Sequence, residues 1–286
     1  MNRAQSLGWE RRWALPAALA AFAAAILFIA STPISAANLL GSPDNEVELL
    51  REFYENRSDL LLAAILHAAA FLAFTLPLYY LFRAASTRSQ SVRRGLVGVV
   101  IAGPIFIAAL DLILWFAIDP AAKDFATPGG GAGVPIGEYA KDLVEDQSLI
   151  GVYQGVGLAG AIGFTFAVVY TSLWAMRVGL LTRFVGTLGM ALGVAQLLIQ
   201  FTVAGLMLWM AWLGLIFINR VPGGRPPAWA AGEAIPWPKA GEPPAEPSEP
   251  ASDTVDGEAT EVGADAENPN APRRERAKRR KRKRRR

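Results

Sequence analysis

Long runs of apolar residues constrain the fold of this chain more than any other feature of its sequence. Several stretches of about 17 to 25 residues carry at most one charged side chain each. A helix of roughly 20 apolar residues crosses the hydrocarbon core of a bilayer, which is about 30 Å thick. The sequence therefore predicts an all-α fold, a polytopic helical membrane bundle, and excludes an ordinary soluble domain.

Six apolar runs are bounded by charged residues, and we predict six transmembrane helices from them. The last two runs come from one stretch between Arg183 and Arg220, which as a single straight helix would be roughly 50 Å long and would overshoot the bilayer. We therefore expect this stretch to turn near residues 200–202. The predicted spans are Trp13–Ser31, Leu60–Phe82, Gly95–Ile118, Leu149–Met176, Phe184–Gln200 and Thr202–Asn219.

The charges of the segments between these spans predict their orientation. Residues 1–12, the second and fourth connections, and the C-terminal region are rich in arginine, whereas residues 32–59 and 119–148 each hold two basic and six acidic residues. By the positive-inside rule, the arginine-rich segments are cytoplasmic and the acidic ones lie outside. Both termini are then cytoplasmic, in a chain that spans the plasma membrane. A five-span chain would export the basic C-terminus against this rule.

Two interpretations stay open at the outer side and at the N-terminus. Helices predicted at Glu46–Tyr54 and Glu138–Glu145 are either solvated caps on the spans or a binding lid. The first span resembles a secretory signal, with a basic start and small residues at 34–37, but its apolar segment exceeds the usual length of about 7 to 15 residues. We expect an uncleaved anchor, and cleavage would leave the later topology unchanged.

The chain has no cysteine and a single histidine, His67. The absence of cysteine excludes disulfides, thiolate nucleophiles and iron–sulfur clusters. One imidazole cannot supply the paired axial ligands of a membrane haem or a multi-histidine metal centre. Because no catalytic motif is evident, we expect no cofactor, no metal and no enzymatic activity.

Two ionisable residues inside predicted spans are candidate functional residues, because such groups are costly in a membrane. His67 and Asp111 lie seven residues from the outer ends of antiparallel spans, so both are expected roughly 10 Å below the outer surface. They form either a structural pair or a ligand or proton site. The predicted outer-leaflet polar pocket contains His67, Asp111, Gln154, Gln196 and Gln200.

Small residues recur every four positions in the fourth and fifth spans, a pattern that favours close packing of membrane helices. The predicted packing residues are Gly151, Gly155, Ala159 and Gly163 in the fourth span, and Gly189 and Gly193 in the fifth.

The C-terminal region divides into two segments of opposite charge. Residues 220–272 are rich in Pro, Ala and acidic residues, which predicts a disordered linker. Residues 273–286 contain twelve basic residues and one acidic residue, a net charge of +11. Anionic lipid, the acidic linker itself, and RNA or the ribosome are candidate partners of this tail. Its basic residues are Arg273, Arg274, Arg276, Lys278, Arg279, Arg280, Lys281, Arg282, Lys283, Arg284, Arg285 and Arg286.

Four short sequences stand out in the segment from Leu149 to Pro238: GVYQG at 151–155, RVGLLTR at 177–183, PGGRPPAW at 222–229 and PWP at 236–238. With them, this segment resembles uncharacterised multi-pass integral membrane proteins of actinobacteria. The resemblance covers about a third of the chain and implies a helical membrane domain without an assigned activity.

These features indicate two classes of function. We expect a non-enzymatic membrane interaction or scaffold protein whose polybasic tail engages anionic lipid or a cytoplasmic partner. The alternative is a small transporter, channel or ligand sensor that uses the outer pocket around His67 and Asp111.

Overall fold

A computed structural model of the chain describes residues 3–38, 45–129, 131, 133–199 and 202–238. Within these ranges the regular structure is entirely helical, which confirms the all-α prediction. The helices are α1 (Arg3–Asn38), α2 (Glu46–Glu55), α3 (Arg57–Arg88), α4 (Val97–Ala126, after a 3₁₀ turn at Arg94–Leu96), α5 (Ile136–Glu145), α6 (Ser148–Arg177), α7 (Arg183–Ala195), α8 (Thr202–Phe217) and α9 (Ala228–Ala231).

Four of these helices are long and apolar enough to cross a membrane, namely α1, α3, α4 with its preceding turn, and α6. They contain the first four predicted spans. Helices α7 and α8 have 13 and 16 residues, which correspond to about 20 and 24 Å at 1.5 Å per residue. Length and composition thus give the chain the character of an integral membrane protein.

Helices α7 and α8 form an antiparallel hairpin rather than one continuous helix. The indole of Trp209 on α8 donates a hydrogen bond to the carbonyl of Val185 near the start of α7, at 2.9 Å. Gly205 at the start of α8 lies beside Leu192 near the end of α7. The reversal lies between Ala195 and Thr202, as the length argument required, although Gln200 and Phe201 themselves lie outside the described residues.

The helices pack as a ring with α3 towards its centre. Helix α1 packs between α3 and α8, α4 packs between α3 and α6, and α7 joins α6 to α8. At mid-height, Phe71 and Phe74 of α3 meet Phe164 of α6, with ring centroids 5.1 to 5.3 Å apart. All three side chains are buried. This aromatic layer fills the centre of the bundle.

The two ends of the bundle differ in charge. One end, called here the arginine end, joins the starts of α1, α4 and α7 to the ends of α3, α6 and α8. There Arg88 of α3 contacts Glu10 of α1, and the backbone N–H of Arg93 donates to the hydroxyl of Tyr170 on α6 at 3.0 Å. The opposite end, called the acidic end, carries α2 and α5, which pack on Leu60 and Ile118.

Close helix contacts occur at some of the predicted packing residues and not at others. Gly163 on α6 faces Gly103 on α4 so closely that a Cβ on Gly103 would lie 2.6 Å from the Gly163 backbone. Gly189 lies against Trp209, and Gly193 lies against Val168.

The prediction fails for Gly151, Gly155 and Ala159, which are exposed within the described chain. A Cβ on either glycine would meet no atom within 4 Å. The physical reason is that α6 turns a different stripe towards α4. This stripe contains Gly160 and Gly163 instead of the four-residue repeat.

The predicted disorder of residues 220–272 is wrong for residues 220–238, which fold against the arginine end and are called the strap here. Trp229 is 3% exposed, and its indole donates to the Leu180 carbonyl at 2.9 Å. Trp237 likewise donates to the Leu181 carbonyl at 2.7 Å. The strap is short and rich in Pro and Gly, so it cannot fold alone. Its Trp229 indole is buried and its Trp237 indole is half-buried on a surface that the helices supply. Residues 239–286, including the polybasic tail, lie outside the described residues.

Candidate functional site

A cavity of about 680 Å³ lies near the acidic end, between α1, α2, α3 and α4. This volume is within the range of roughly 300–1,000 Å³ that is typical of small-molecule sites. Most of its walls are apolar. The lining residues are Phe28, Ser31, Thr32, Leu49, Phe53, Leu60, Ala63, Ala64, His67, Asp111, Leu114, Trp115 and Ile118.

Helix α2 covers the cavity at the acidic end. Asn45 caps the start of α2, where its side-chain oxygen accepts a hydrogen bond from the Glu48 N–H at 3.0 Å. Helix α2 is amphipathic, and its buried face includes Leu50 and Phe53. Phe53 also lines the cavity, with its ring centroid 6.3 Å from that of Trp115 on α4. Helix α2 thus lies where a lid would lie, which is one of the two interpretations of this segment in the sequence analysis.

Polar contacts fix α3 against α4 beside the cavity. The Trp115 indole donates to the Arg57 carbonyl at 3.0 Å. Asp119, which is 7% exposed, pairs with Arg57 at 3.3 Å and with Lys123 at 2.5 Å. Two cations on one buried carboxylate neutralise its charge and hold the walls of the cavity in place.

His67 and Asp111 meet across the α3–α4 interface and line the cavity together. Nδ1 of His67 contacts Oδ2 of Asp111, and their side chains are 26% and 39% exposed. The His67 ring also lies between Phe28 and Phe71, at centroid distances of 5.3 and 4.9 Å. The equal depths calculated from the sequence thus correspond to a direct contact, in which part of the carboxylate faces the cavity.

The buried aromatic layer lies on the arginine-end side of this pair. Phe71 contacts the His67 ring on one side and Phe164 on the other. Because Phe71, Phe74 and Phe164 are each no more than 2% exposed, they close the bundle between the cavity and the arginine end. The cavity is thus separated from the arginine end by a layer of buried aromatic side chains.

Two described glutamines of the predicted polar pocket, Gln154 and Gln196, do not line the cavity. Gln154 is exposed on α6. Gln196 donates to the hydroxyl of Thr165 at 2.8 Å and thereby links the end of α7 to α6. Gln200 lies outside the described residues. Of the four described residues of the predicted pocket, only His67 and Asp111 line the cavity, because α6 and α7 lie on the other side of α4 and α3 from it.

Sequence reasoning did not identify the apolar and hydroxyl residues of the cavity. On α3, Leu60, Ala63, Ala64 and His67 follow the i, i+3, i+4, i+7 spacing of one helical face. That spacing was visible in the sequence, but it does not distinguish a cavity wall from a packed interface. In the part of the chain that the structure describes, no group of three or more acidic or histidine side chains could hold a metal ion.

A second polar cluster lies at the arginine end, under the strap. Arg88, whose side chain is fully buried, donates to a carboxylate oxygen of Glu10 at 2.9 Å and to the carbonyl of Ala228 at 3.1 and 3.2 Å. Trp229 stacks on Tyr80 at 5.7 Å, and the Arg225 guanidinium lies 4.0 Å from the Trp229 ring. Burial lowers the pKa of the Arg225 guanidinium, and its contact with the Tyr80 hydroxyl offsets part of this decrease. This cluster fastens the strap to the bundle.

The fold and this cavity together define a helical membrane protein with a mostly apolar ligand-sized cavity near one end. Comparisons with protein-family models, with curated proteins and with solved structures give no match to the chain. The interpretation of the cavity therefore rests on its own geometry.

Proposed function

We propose that the protein is a six-span membrane protein that binds an apolar small molecule in the cavity between α1, α2, α3 and α4, as a ligand sensor or transporter. The observation that carries this proposal is the cavity of about 680 Å³ with apolar walls and one polar pair. Such a combination, apolar walls with few convergent polar groups, is the usual composition of a small-molecule site.

The proposed topology places the arginine end in the cytoplasm and the cavity in the outer half of the plasma membrane. The arginine-rich segments cluster at the end that carries the strap, as the positive-inside rule requires of a cytoplasmic face. The α7–α8 hairpin supports six spans, because it returns the chain to the arginine end. Helix α1 is retained in this proposal, since its alanine face (Ala17, Ala18, Ala21) is buried in the bundle.

A purely structural role for His67 and Asp111 is the competing interpretation. A structural pair needs no space around it, and membrane bundles are otherwise closely packed. Here the pair borders the cavity, and 39% of the Asp111 side chain is exposed. These two features favour a ligand. The aromatic layer on the arginine-end side favours a binding protein or a gated transporter over an open channel.

Filling the cavity should prevent ligand binding. Ala64 lines the cavity, so we expect Ala64→Trp to reduce cavity labelling by a photoreactive diazirine-bearing decanol about tenfold, which corresponds to roughly 1.4 kcal/mol. Labelled residues in purified protein in nanodiscs would be identified by mass spectrometry. Labelling of exposed Leu158 and Ile162 on α6 provides an internal reference for lipid-facing contact.

The matched control is Ala69→Trp, on the same helix but not among the cavity residues. Wild-type protein should be labelled at Phe53 and Trp115 more strongly than at the α6 reference. Equal labelling at the two places, unaffected by Ala64→Trp, would exclude a ligand site in the cavity.

The polybasic tail supports a second candidate function, attachment of the protein to anionic lipid or to a cytoplasmic partner. Each basic residue near an anionic surface contributes about 1 kcal/mol, and twelve occur among residues 273–286. This activity is compatible with ligand binding in the cavity. The tail would then act as the interaction module of the same protein.

We expect a peptide of residues 273–286 to sediment with anionic vesicles at low salt and to be released as salt increases. A peptide of residues 240–286, which adds the acidic linker, tests self-contact because its acidic residues would compete with the lipid. RNA in place of vesicles tests the nucleic-acid alternative. Sedimentation of neither peptide with anionic vesicles would exclude lipid attachment.

A further inference from the structure

We propose that the ligand of this cavity is a cationic amphiphile, a molecule with an alkyl chain and an ammonium head group, and that Asp111 is its counter-ion. This inference rests on the proposed function and specifies the chemical class of the ligand. The juxtaposition that supports it is one partly exposed carboxylate, three aromatic side chains and an otherwise apolar wall within a single cavity.

The charge balance of the cavity is the first argument. Among the described residues that line the cavity, Asp111 is the one carboxylate, and neither lysine nor arginine occurs. Its contact is with His67, an imidazole that carries a full positive charge only when protonated. The Asp111 carboxylate thus has no permanent cation beside it among these residues, at a predicted depth inside the bilayer where an uncompensated charge is costly. A ligand ammonium would neutralise this charge, and an anionic head group would increase the imbalance.

The neighbouring Asp119 shows the contrasting arrangement. It also lies on α4, two turns beyond Asp111, but it pairs with both Arg57 and Lys123 of the protein. Its charge is therefore satisfied within the chain. Asp111 has no such cation in the described part of the chain, although its side chain is 39% exposed and lines the cavity. The two aspartates differ in the way expected of a structural carboxylate and a ligand-binding one.

Aromatic side chains around the cavity supply the second argument. Phe28, Phe53 and Trp115 all line it, and aromatic faces attract cations, alkylated ammonium groups in particular. Phe28 also packs on the His67 ring at 5.3 Å, which places an aromatic side chain beside the carboxylate pair. The same rings pack well on an alkyl chain, so they suit both parts of an amphiphile.

The remaining wall and the cavity entrance provide the third argument. Leu49, Leu60, Leu114 and Ile118 form an apolar compartment that extends from the pair towards α2. The acidic end also attracts cations, because α2 carries four acidic residues and one arginine. An amphiphile could therefore be drawn in by charge and held by its alkyl chain.

The test compares three probes that share one alkyl chain: decyltrimethylammonium, decanol and decyl sulfate. Each competes with the photoreactive decanol for labelling at Trp115, using the full-length protein in nanodiscs of zwitterionic lipid and probes below their micellar concentrations. We expect decyltrimethylammonium to compete at concentrations at least tenfold lower than decanol, and decyl sulfate to compete least. Labelling of Leu158 corrects for partition of each probe into the lipid.

Replacement of the counter-ion should remove the preference without removing binding. We expect Asp111→Asn to weaken competition by decyltrimethylammonium at least tenfold and to leave competition by decanol unchanged. The matched control is Asp124→Asn, an exposed aspartate at the end of α4 that does not line the cavity. This control should retain the wild-type ranking of the three probes.

The outcomes separate the two proposals. If decanol or decyl sulfate competes as well as the cation in the wild-type protein, the ligand class is wrong and the cavity site stands. If no probe competes and Ala64→Trp changes nothing, the proposed function itself fails. The wild-type ranking needs no variant, so it decides the ligand class even if Asp111→Asn does not fold.

Discussion

Glu10→Ala is expected to destabilise the protein by roughly 3–5 kcal/mol, because it leaves the buried Arg88 guanidinium without its counter-charge. The Arg88 side chain is fully buried, and the Glu10 side chain is 5% exposed. Arg88 would keep its bonds to the Ala228 and Ala84 carbonyls, but dipoles only partly compensate a buried charge.

The free energy of unfolding would be measured by titrating the purified protein in mixed micelles with a denaturing detergent. Glu233→Ala serves as the matched control, since Glu233 pairs with Arg3 at 3.4 Å while both side chains are about 60% exposed. Loss of this exposed pair should cost less than about 1 kcal/mol. Equal effects of the two variants would mean that the Glu10–Arg88 pair stabilises the bundle no more than a surface contact does.

Trp229→Ala should cost about 3–5 kcal/mol, the usual penalty for removing a large buried aromatic side chain. The indole stacks on Tyr80, contacts the Phe217 ring and donates to the Leu180 carbonyl. Its loss would leave a void, an unpaired buried carbonyl and a guanidinium, that of Arg225, without its aromatic partner. The strap should then detach from the bundle before the helices separate.

Trp212→Ala is the control for this variant, because Trp212 lies on α8 but is 41% exposed. Trp212→Ala should change the free energy of unfolding by less than about a third of the change caused by Trp229→Ala. Limited proteolysis between residues 220 and 238 would report release of the strap directly. Unchanged protection of this segment in Trp229→Ala would contradict its attachment by the indole.

The helical architecture could be predicted because membrane helices are specified locally. Each long apolar run needs only its own length to indicate a span, and the first four predicted spans are each contained in a helix long enough to cross a membrane. The hairpin of α7 and α8 followed from length in the same way. The arginine-rich segments among the described residues lie at one end of the bundle, and their orientation relative to the membrane stays a prediction.

The contact between His67 and Asp111 could also be anticipated, since the constant rise of a helix converts sequence position into depth. The depth of a residue along its helix does not indicate which way its side chain points around the helix axis, however. Gln154 and Gln196 lie on helices outside the cavity. The packing stripe of α6 was misplaced for the same reason.

The cavity and the strap could not be predicted, because each depends on surfaces from distant parts of the chain. Phe53 contacts Trp115 only when α2 folds back over α4. Residues 220–238 look disordered by composition, but the tertiary surface that holds Trp229 is built from α3, α8 and the turn after α6. The composition of a segment indicates how much apolar surface the segment can bury by itself. It does not indicate how much apolar surface the neighbouring elements provide.

The strap (residues 220–238) contacts residues near the start of the chain, and these contacts affect when the bundle can be completed during synthesis. Arg3 pairs with Glu233, Leu7 lies against Gly232, and Arg88 binds the carbonyl of Ala228. The first helices to leave the ribosome therefore lack several of their final partners until more than 230 residues have been translated. Assembly of this bundle is completed after translation of its last helix, and a chain that ends before Ala228 would leave Arg88 with Glu10 and Ala84 but without the strap carbonyl.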